Sequence, residues 1–178
     1  MALDPTQRNV VKGIVLAALF SAAVLLAGYL WFPWEPKSIE RTADRLAFAL
    51  ACDVFVFLWL LAGVVRVARM RFFSPQDMEG AGFTVASAPV KAERAVLQNT
   101  LEQVVLAVGA HLVLATLLPT EALGLIPTLV MIFAVGRLAF WLSYRHGATA
   151  RAFGFGTTFY PTVFAYGLAV ILIFMQAF

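Results

Sequence analysis

The chain alternates between long apolar runs and short polar stretches, and this pattern predicts its main elements. Residues 13–34, 46–65 and 152–178 are almost wholly apolar, 92–118 is apolar in its second half, and 121–144 contains a single arginine. A helix rises about 1.5 Å per residue, so about 20 residues cross the hydrocarbon core of a bilayer. The pattern therefore predicts an all-α membrane protein of five transmembrane helices.

The first run predicts a retained membrane helix rather than a cleaved signal peptide. It is longer than the apolar core of a signal peptide, which spans about 7–15 residues. Trp31 and Trp34 stand where aromatic rings favour the membrane interface. Pro33 and Pro36 are expected to end the helix. Residues 74–90, between the second and third runs, carry the prolines and glycines typical of a loop.

Composition supports the same class of protein. The chain is 62% hydrophobic and 13% charged, whereas soluble domains carry about 25% charged residues. The net charge of +3 is small and local, so we read it as a topology signal and expect no nucleic-acid partner. Cys52 is the single cysteine, which excludes an intramolecular disulfide. The sequence shows no cluster of metal ligands, and we expect no metal site.

Basic residues fall mainly on one side of the predicted membrane. With five spans, the amino terminus and the loops after the second and fourth helices share a side. That side carries nine basic residues: Arg8, Lys12, Arg66, Arg69, Arg71, Lys91, Arg94, Arg145 and Arg151. The positive-inside rule therefore predicts a cytoplasmic amino terminus and an outside carboxyl terminus. The expected location is a bacterial inner membrane.

Three charged residues lie inside predicted spans: Asp53, Glu102 and Arg137. A charge at the centre of a membrane helix costs roughly 2.5–3.5 kcal/mol, so each needs a partner or a function. The helical rise places Glu102 and Arg137 at a similar depth, roughly 12 Å inside the cytoplasmic boundary, on neighbouring antiparallel helices. We expect these two side chains to pair.

A second pair is suggested nearer the outer leaflet. Asp53 and His111 also fall at similar depths on different helices. The alternative is that Asp53 is protonated or bonded to backbone, and that His111 is simply packed between helices. The sequence leaves both interpretations open.

Polar side chains form a stripe on the third helix, and a matching face follows on the fourth. Gln98 and Asn99 lie one turn before Glu102, so the three share a side of their helix. On the fourth helix one face runs from Arg137 to Tyr144 at helical spacing. The two faces predict a polar cleft that opens toward the cytoplasm. Spacing alone leaves open whether this cleft binds a ligand or joins helices by hydrogen bonds.

Two separated segments carry a family resemblance. Residues 93–103 (ERAVLQNTLEQ) hold an arginine followed by Asn-x-x-Glu at the start of a helix. Residues 136–144 (GRLAFWLSY) hold an arginine, an aromatic residue three positions on and a tyrosine seven positions on, and a further arginine opens 151–155 (RAFGF). Both segments resemble the motifs of the membrane-associated proteins in eicosanoid and glutathione metabolism, the MAPEG family, in a bacterial-type form. The resemblance assigns 44–178 to a four-helix MAPEG-like domain and 1–43 to an additional amino-terminal helix and connecting loop.

The resemblance implies a homotrimer in the lipid bilayer, with sites between subunits that bind glutathione. Asn99 and Glu102 would hold the glutathione backbone, and Glu102 would receive its amino group. Arg137 and Tyr144 would contact its carboxylates or peptide. Arg151 would stabilise the thiolate, since a nearby cation favours ionisation of a thiol. Gln98 and Arg94 complete the implied cofactor-binding set.

The sequence departs from the family pattern in two places. Arg94 stands five residues before Asn99 rather than four, so we expect its side chain to point about 100° away around the helix. Phe140 stands where some members have tyrosine or histidine, which removes one hydrogen bond. Either Arg69 or Arg71 falls in the region of another family arginine.

The resemblance favours a membrane-embedded transferase or peroxidase that uses glutathione or another thiol on lipophilic electrophiles. The first alternative is a non-catalytic protein of the same fold, whose polar face serves trimer assembly. The second alternative is a small lipid-binding or transport protein.

Overall fold

The computed structural model describes residues 3–31, 39–80 and 83–177. Over these ranges the chain is helical, with six α-helices: α1 (Pro5–Trp31), α2 (Thr42–Phe72), α3 (Pro75–Met78), α4 (Ala88–Leu117), α5 (Leu125–Ser143) and α6 (Ala148–Ala177). Two 3₁₀ turns, Thr120–Ala122 and Tyr144–His146, flank α5. Five segments of the described ranges are long and apolar enough to cross a membrane. The predicted all-α membrane fold with five spans is confirmed; its orientation stays a prediction.

The helix ends differ from the predicted boundaries in ways that follow from local chemistry. Helix α2 continues to Phe72 and so includes the arginines that close the second run. Helix α4 begins at Ala88 and has a proline in its first turn. Backbone N–H groups in the first turn have no partner within the helix, so proline breaks no helical hydrogen bond there. The predicted roles of Trp34, Pro33 and Pro36 fall on residues outside the described ranges.

Small residues let α5 and α6 approach closely. Gly154 lies directly against the backbone of Phe140, so a side chain at this position would collide with α5. A Cβ atom added at Gly136 would stand 2.7 Å from Cγ2 of Thr158. Close backbone contact of this kind is the usual basis of helix association in membranes. It brings Arg137 of α5 within hydrogen-bond distance of Thr158 of α6.

Helix α1 packs along α6 and touches α5 through similar contacts. A Cβ atom at Gly13 would lie 3.0 Å from Cβ of Ala152, and one at Gly156 would lie 2.7 Å from Cβ of Ala17. Further along, Gly28 meets Thr128 of α5. The amino-terminal helix is therefore an integral part of the bundle in the described chain.

Asp53 of α2 and His111 of α4 form the buried pair that the sequence suggested. Nδ1 of His111 lies 2.6 Å from Oδ1 of Asp53, and the side chains are 3% and 0% exposed. The other carboxylate oxygen of Asp53 has no hydrogen-bond partner among the described residues. The pair joins two long helices at a depth where neither side chain reaches water.

Asp77 organises the connection between α2 and α4. Its carboxylate accepts hydrogen bonds from the Ser74 hydroxyl at 2.6 Å and from the backbone N–H of Ser87 at 2.7 Å. The Ser74 hydrogen bond, followed by the Ser87 bonds, lowers the pKa of Asp77 below its ordinary value. Nε of Arg71 donates to the Asp77 carbonyl oxygen, and Gly80 turns the chain with φ +87°. The predicted loop thus contains the short helix α3, and the Asp77 carboxylate ties Ser74 before this helix to Ser87 before α4. We call these contacts the Asp77 clamp.

Candidate functional site

A cavity of about 410 Å³ opens between α1, α4, α5 and α6. Its lining combines three polar side chains with an apolar remainder: Asn99, Tyr144 and Arg151 together with Val10, Ile14, Ala95, Phe140, Ala148, Ala152 and Phe155. We call this cavity the α1–α6 pocket. Ligand pockets in proteins usually measure about 300–1,000 Å³. The sequence-predicted residues Asn99, Tyr144 and Arg151 therefore meet at one site of suitable size.

Arg151 lies in the first turn of α6, four residues after Gly147, which has φ +98°. Its guanidinium carbon stands 4.6 Å from the centre of the Tyr144 ring, a cation–π contact. Among the described residues no carboxylate lies within ion-pair distance of Arg151. The aromatic ring thus holds the cation at the pocket without neutralising it.

Arg137 lies behind the pocket wall rather than in it. Its side chain is buried, with 2% of its surface exposed. Nη1 donates to Oδ1 of Asn99 at 2.9 Å, and Nη2 donates to the Thr158 hydroxyl at 2.8 Å. The guanidinium also faces the Phe140 ring at 4.4 Å, and its Nε has no partner among the described residues. A buried cation with only neutral partners is uncompensated, which favours an anion nearby.

The predicted Glu102–Arg137 pair is wrong. Glu102 faces outward from the bundle and accepts a 3.0 Å hydrogen bond from Nε2 of Gln98. The two residues do share a depth, but depth does not fix the direction of a side chain around its helix. Asn99 lies about 60° away around α4 and faces α5, so it accepts the hydrogen bond from the Arg137 guanidinium instead.

Arg94 and Gln98 line a neighbouring cavity of about 500 Å³ with Lys91, Ala95 and Leu97. Ala95 lines both cavities, so the two adjoin across α4. Arg94 points away from Asn99, as its shifted spacing predicts. The cofactor-binding residues implied by the resemblance are therefore split. Arg94, Gln98 and Glu102 form an outward ridge, which we call the α4 ridge.

The two candidate arginines at the end of α2 also stand apart from the α1–α6 pocket. Arg71 bonds the Asp77 carbonyl oxygen, which gives it a structural task in the loop. Arg69 lines a separate surface cavity of about 620 Å³ that also includes Phe73 and Trp141. Neither side chain reaches the pocket within this chain.

Sequence reasoning missed a polar network centred on Glu93. This carboxylate is 5% exposed and accepts from Nε of Arg66 at 3.0 Å and Nη2 of Arg145 at 3.1 Å. Nε1 of Trp141 donates to it at 3.0 Å. The network ties the ends of α2, α4 and α5 on the predicted cytoplasmic side. Its signal was available, because an acid at the start of one span lies level with arginines that close two others.

Reasoning from the sequence also missed the contribution of α1 to the pocket. Val10 and Ile14 line it together with the polar residues of α4 and α6. Nothing in an apolar helix marks which of its faces borders a cavity. The face of α1 that borders the cavity is determined by how α1 packs against α6.

A membrane-spanning helical bundle with an arginine, a tyrosine and an asparagine around one pocket defines the class of this protein. The model of the MAPEG family matches residues 46–171, and the chain belongs to this family. Helix α1 lies outside the matched range. The predicted family membership is confirmed.

Two curated membrane proteins are similar to most of this chain. The chain is 28% identical to mouse transmembrane protein 79 over 153 residues, which covers 85% of this chain and 38% of the relative. It is 27% identical to bovine transmembrane protein 79 over 158 residues, with the same two coverages. The chain thus spans well under half of the length of these relatives. No solved structure matches the chain.

Proposed function

We propose that this protein is a membrane-embedded, thiol-dependent transferase or peroxidase that binds glutathione in the α1–α6 pocket and acts on lipophilic electrophiles. The observation that carries the proposal is the placement of Arg151 in the pocket with an aromatic partner and, among the residues that the structure describes, no acidic one. Such an arginine is free to pair with a bound anion. Family membership supports the assignment of that anion as a thiolate.

The electrostatic effect of Arg151 is large enough for the chemistry. A cysteine-like thiol has a pKa of about 8.5 and is mostly protonated at neutral pH. Two unit charges about 4 Å apart attract by about 4 kcal/mol at an effective dielectric of 20, and one pKa unit equals about 1.4 kcal/mol. Arg151 is half-buried, so solvent screens part of this attraction. A third of it still lowers the pKa of a bound thiol by about one unit.

Asn99 has the orientation that carboxylate or peptide recognition needs. Arg137 only donates hydrogen bonds, so the asparagine must present its oxygen to the arginine. The amide nitrogen of Asn99 is then left as a donor on the pocket wall. Glutathione carries two carboxylates and two peptide carbonyls, which such a donor and the Arg151 guanidinium fit.

The proposed conjugation is a substitution at the electrophile. The thiol loses its proton to solvent, and the thiolate stabilised by Arg151 attacks the electrophilic carbon. A carbon–sulfur bond forms while the leaving group departs with its bonding electron pair. The pocket residues bind and orient the thiolate, and the rest of the reaction belongs to the two substrates.

The direct test uses the detergent-purified protein, calorimetric titration with glutathione and product analysis with a chlorinated dinitrobenzene. We expect binding in the millimolar range or tighter and formation of the thioether. Arg151→Ala should lower the rate of conjugation by about ten-fold or more, in line with loss of one activating group. Arg41→Ala, at a side chain 85% exposed at the far end of α2, is the matched control and should leave the rate unchanged. Absence of glutathione binding at millimolar concentration contradicts the proposal.

The α4 ridge favours a second function for the same fold, namely assembly of a homotrimer. Gln98 and Glu102 are exposed on the single chain, yet they lie within a membrane-spanning helix. Exposure of a charge to lipid costs roughly 2.5–3.5 kcal/mol, so a second copy is a better neighbour for the ridge than hydrocarbon. Native mass spectrometry of Glu102→Leu should show loss of trimers, whereas Val105→Leu, 62% exposed one turn on, should retain them. Trimers in both variants, or in neither wild type nor variant, would refute this role.

A further inference from the structure

We propose that α1 forms the apolar wall of the α1–α6 pocket and that Val10 and Ile14 set the size of the lipophilic substrate, which enters from the bilayer between α1 and α4. The substrate class is an elongated apolar molecule with its reactive centre at one end. This inference rests on the proposed function for the identity of the thiol. Its own content concerns the apolar substrate and the helix that lies outside the family match.

Helix α1 is fixed firmly enough to define a wall. Gly13 and Ala17 interlock with Ala152 and Gly156 of α6 at distances that admit no further atoms. The rings of Phe20 and Phe153 lie 5.8 Å apart, which extends the contact along the same pair of helices. A helix held in this way keeps Val10 and Ile14 in place at the pocket.

The polar side chains of the pocket all come from elements other than α1. They come from α4, from the turn after α5 and from α6, and they are Asn99, Tyr144 and Arg151. Helix α1 contributes only Val10 and Ile14. A charged thiol cosubstrate fits the polar side, because its carboxylates need donors. The α1 side offers no donor, so it suits a hydrocarbon group.

The route from the bilayer follows from where α1 packs. It lies on α6 and α5, whereas the pocket fills the space between α1 and α4. Val11 and Val15, one position on from the two lining residues, are 43% and 50% exposed on the outer surface of the helix. The apolar surface is therefore continuous from the lipid-facing side of α1 to the pocket. A membrane-dissolved substrate needs no passage through water along this route.

The experiment uses the full chain in lipid nanodiscs with a dodecanoic acid that carries a diazirine at its terminal carbon, followed by mapping of the photoadducts by mass spectrometry. We expect adducts on the α1 peptide that contains Ile14 and on Phe155 across the pocket. Ile14→Trp fills the space and should reduce the Phe155 adducts about ten-fold or more. Leu16→Trp, at a lipid-facing side chain 59% exposed, adds the same bulk outside the pocket and should leave them unchanged.

A second variant distinguishes filling of the pocket from misfolding of the Ile14→Trp protein. Ile14→Ala enlarges the pocket and should increase the Phe155 adducts relative to wild type. Equal labelling of Phe155 in wild type, Ile14→Trp and Ile14→Ala would overturn the inference, whether or not glutathione binds. Labelling that depends on Ile14 in a protein that binds no glutathione would uphold the apolar wall and reject the thiol assignment.

Discussion

Arg137 donates a 2.9 Å hydrogen bond to the amide oxygen of Asn99 and thereby decides which end of that amide faces the α1–α6 pocket. The arginine is buried and pairs with no carboxylate among the described residues. A buried unpaired charge is a poor source of stability, so its presence is better explained by what it does to the pocket.

This relationship predicts that stability and binding respond differently to Arg137→Met. The variant removes a costly buried charge at similar length, so the melting temperature should not fall. Glutathione binding should weaken by about 10- to 100-fold, because the charge-assisted hydrogen bond that orients Asn99 is lost. Melting curves and calorimetric titrations check the two effects separately.

A double-mutant cycle with Asn99→Ala provides the control. If Arg137 acts through Asn99, the double variant should bind glutathione about as weakly as either single variant, since coupled residues do not add. Fully additive losses would mean that the arginine acts on the ligand by another route.

The Asp53–His111 pair should be a major contributor to stability. Asp53→Leu or His111→Leu alone leaves one buried polar partner without the other, and such changes cost about 3–5 kcal/mol. Replacing both by leucine removes the unpaired group and should recover much of the loss. Thermal unfolding of the three variants in one detergent tests this. A double variant less stable than both single variants would contradict the pairing argument.

The Asp77 clamp should make stability depend on acid pH. Hydrogen bonds from Ser74 and then Ser87 lower the pKa of Asp77 in the folded protein, so the ionised carboxylate is the form that folding favours. Its contribution is present above the unfolded pKa of about 3.9 and is lost as the pH falls through the lower folded pKa. The melting temperature of Asp77→Asn should lie below that of wild type at pH 6, and the gap should narrow below about pH 4. Glu79→Gln, at an exposed neighbour, is the control. A gap that stays constant down to pH 3 would reject the clamp.

Alanine substitutions at three glycines distinguish the cost of backbone strain from the cost of steric contact. Gly80 and Gly147 both have positive φ, at +87° and +98°, so alanine at either position should cost about 1–2 kcal/mol. Gly80→Ala should cost somewhat more, because its Cβ would lie 2.5 Å from Nη2 of Arg71 and the clamp would have to shift. Gly167→Ala, in a helix with nothing within 4 Å, should instead stabilise by about 0.5–1 kcal/mol. Chemical denaturation ranks the three. A stabilising Gly80→Ala would show that the loop is not held in the described conformation.

Much of the fold follows from the sequence because lipid imposes strong constraints on it. The five spans, and the arginines beside them, are visible as length and charge. The Asp53–His111 pair was also within reach, since depth along two helices is enough to bring them level. The same comparison of depths gave the wrong partner for Glu102, which bonds Gln98 instead. The direction of its side chain around α4 depends on how α4 packs against its neighbours.

The α1–α6 pocket combines residues that a sequence motif marks with residues that no motif marks. Tyr144 and Arg151 were suggested by family motifs, and the structure brings both to one pocket. Val10 and Ile14 carry no chemical signal, and their place in the pocket follows only from how α1 packs in the bundle. Apolar residues in a membrane helix look alike in sequence whether they face lipid, protein or a substrate.

The most direct test of the central claim is the pH titration of the thiolate ultraviolet absorbance of glutathione bound to the detergent-purified protein. Wild type should ionise the bound thiol at a pKa at least about one unit below 8.5, and Arg151→Lys should retain part of this shift because it keeps the positive charge. Arg151→Ala should return the pKa of the bound thiol to that of free glutathione. A wild-type pKa equal to that of free glutathione, or an unchanged shift in Arg151→Ala, would contradict the assignment of Arg151 as the cation that activates the thiol.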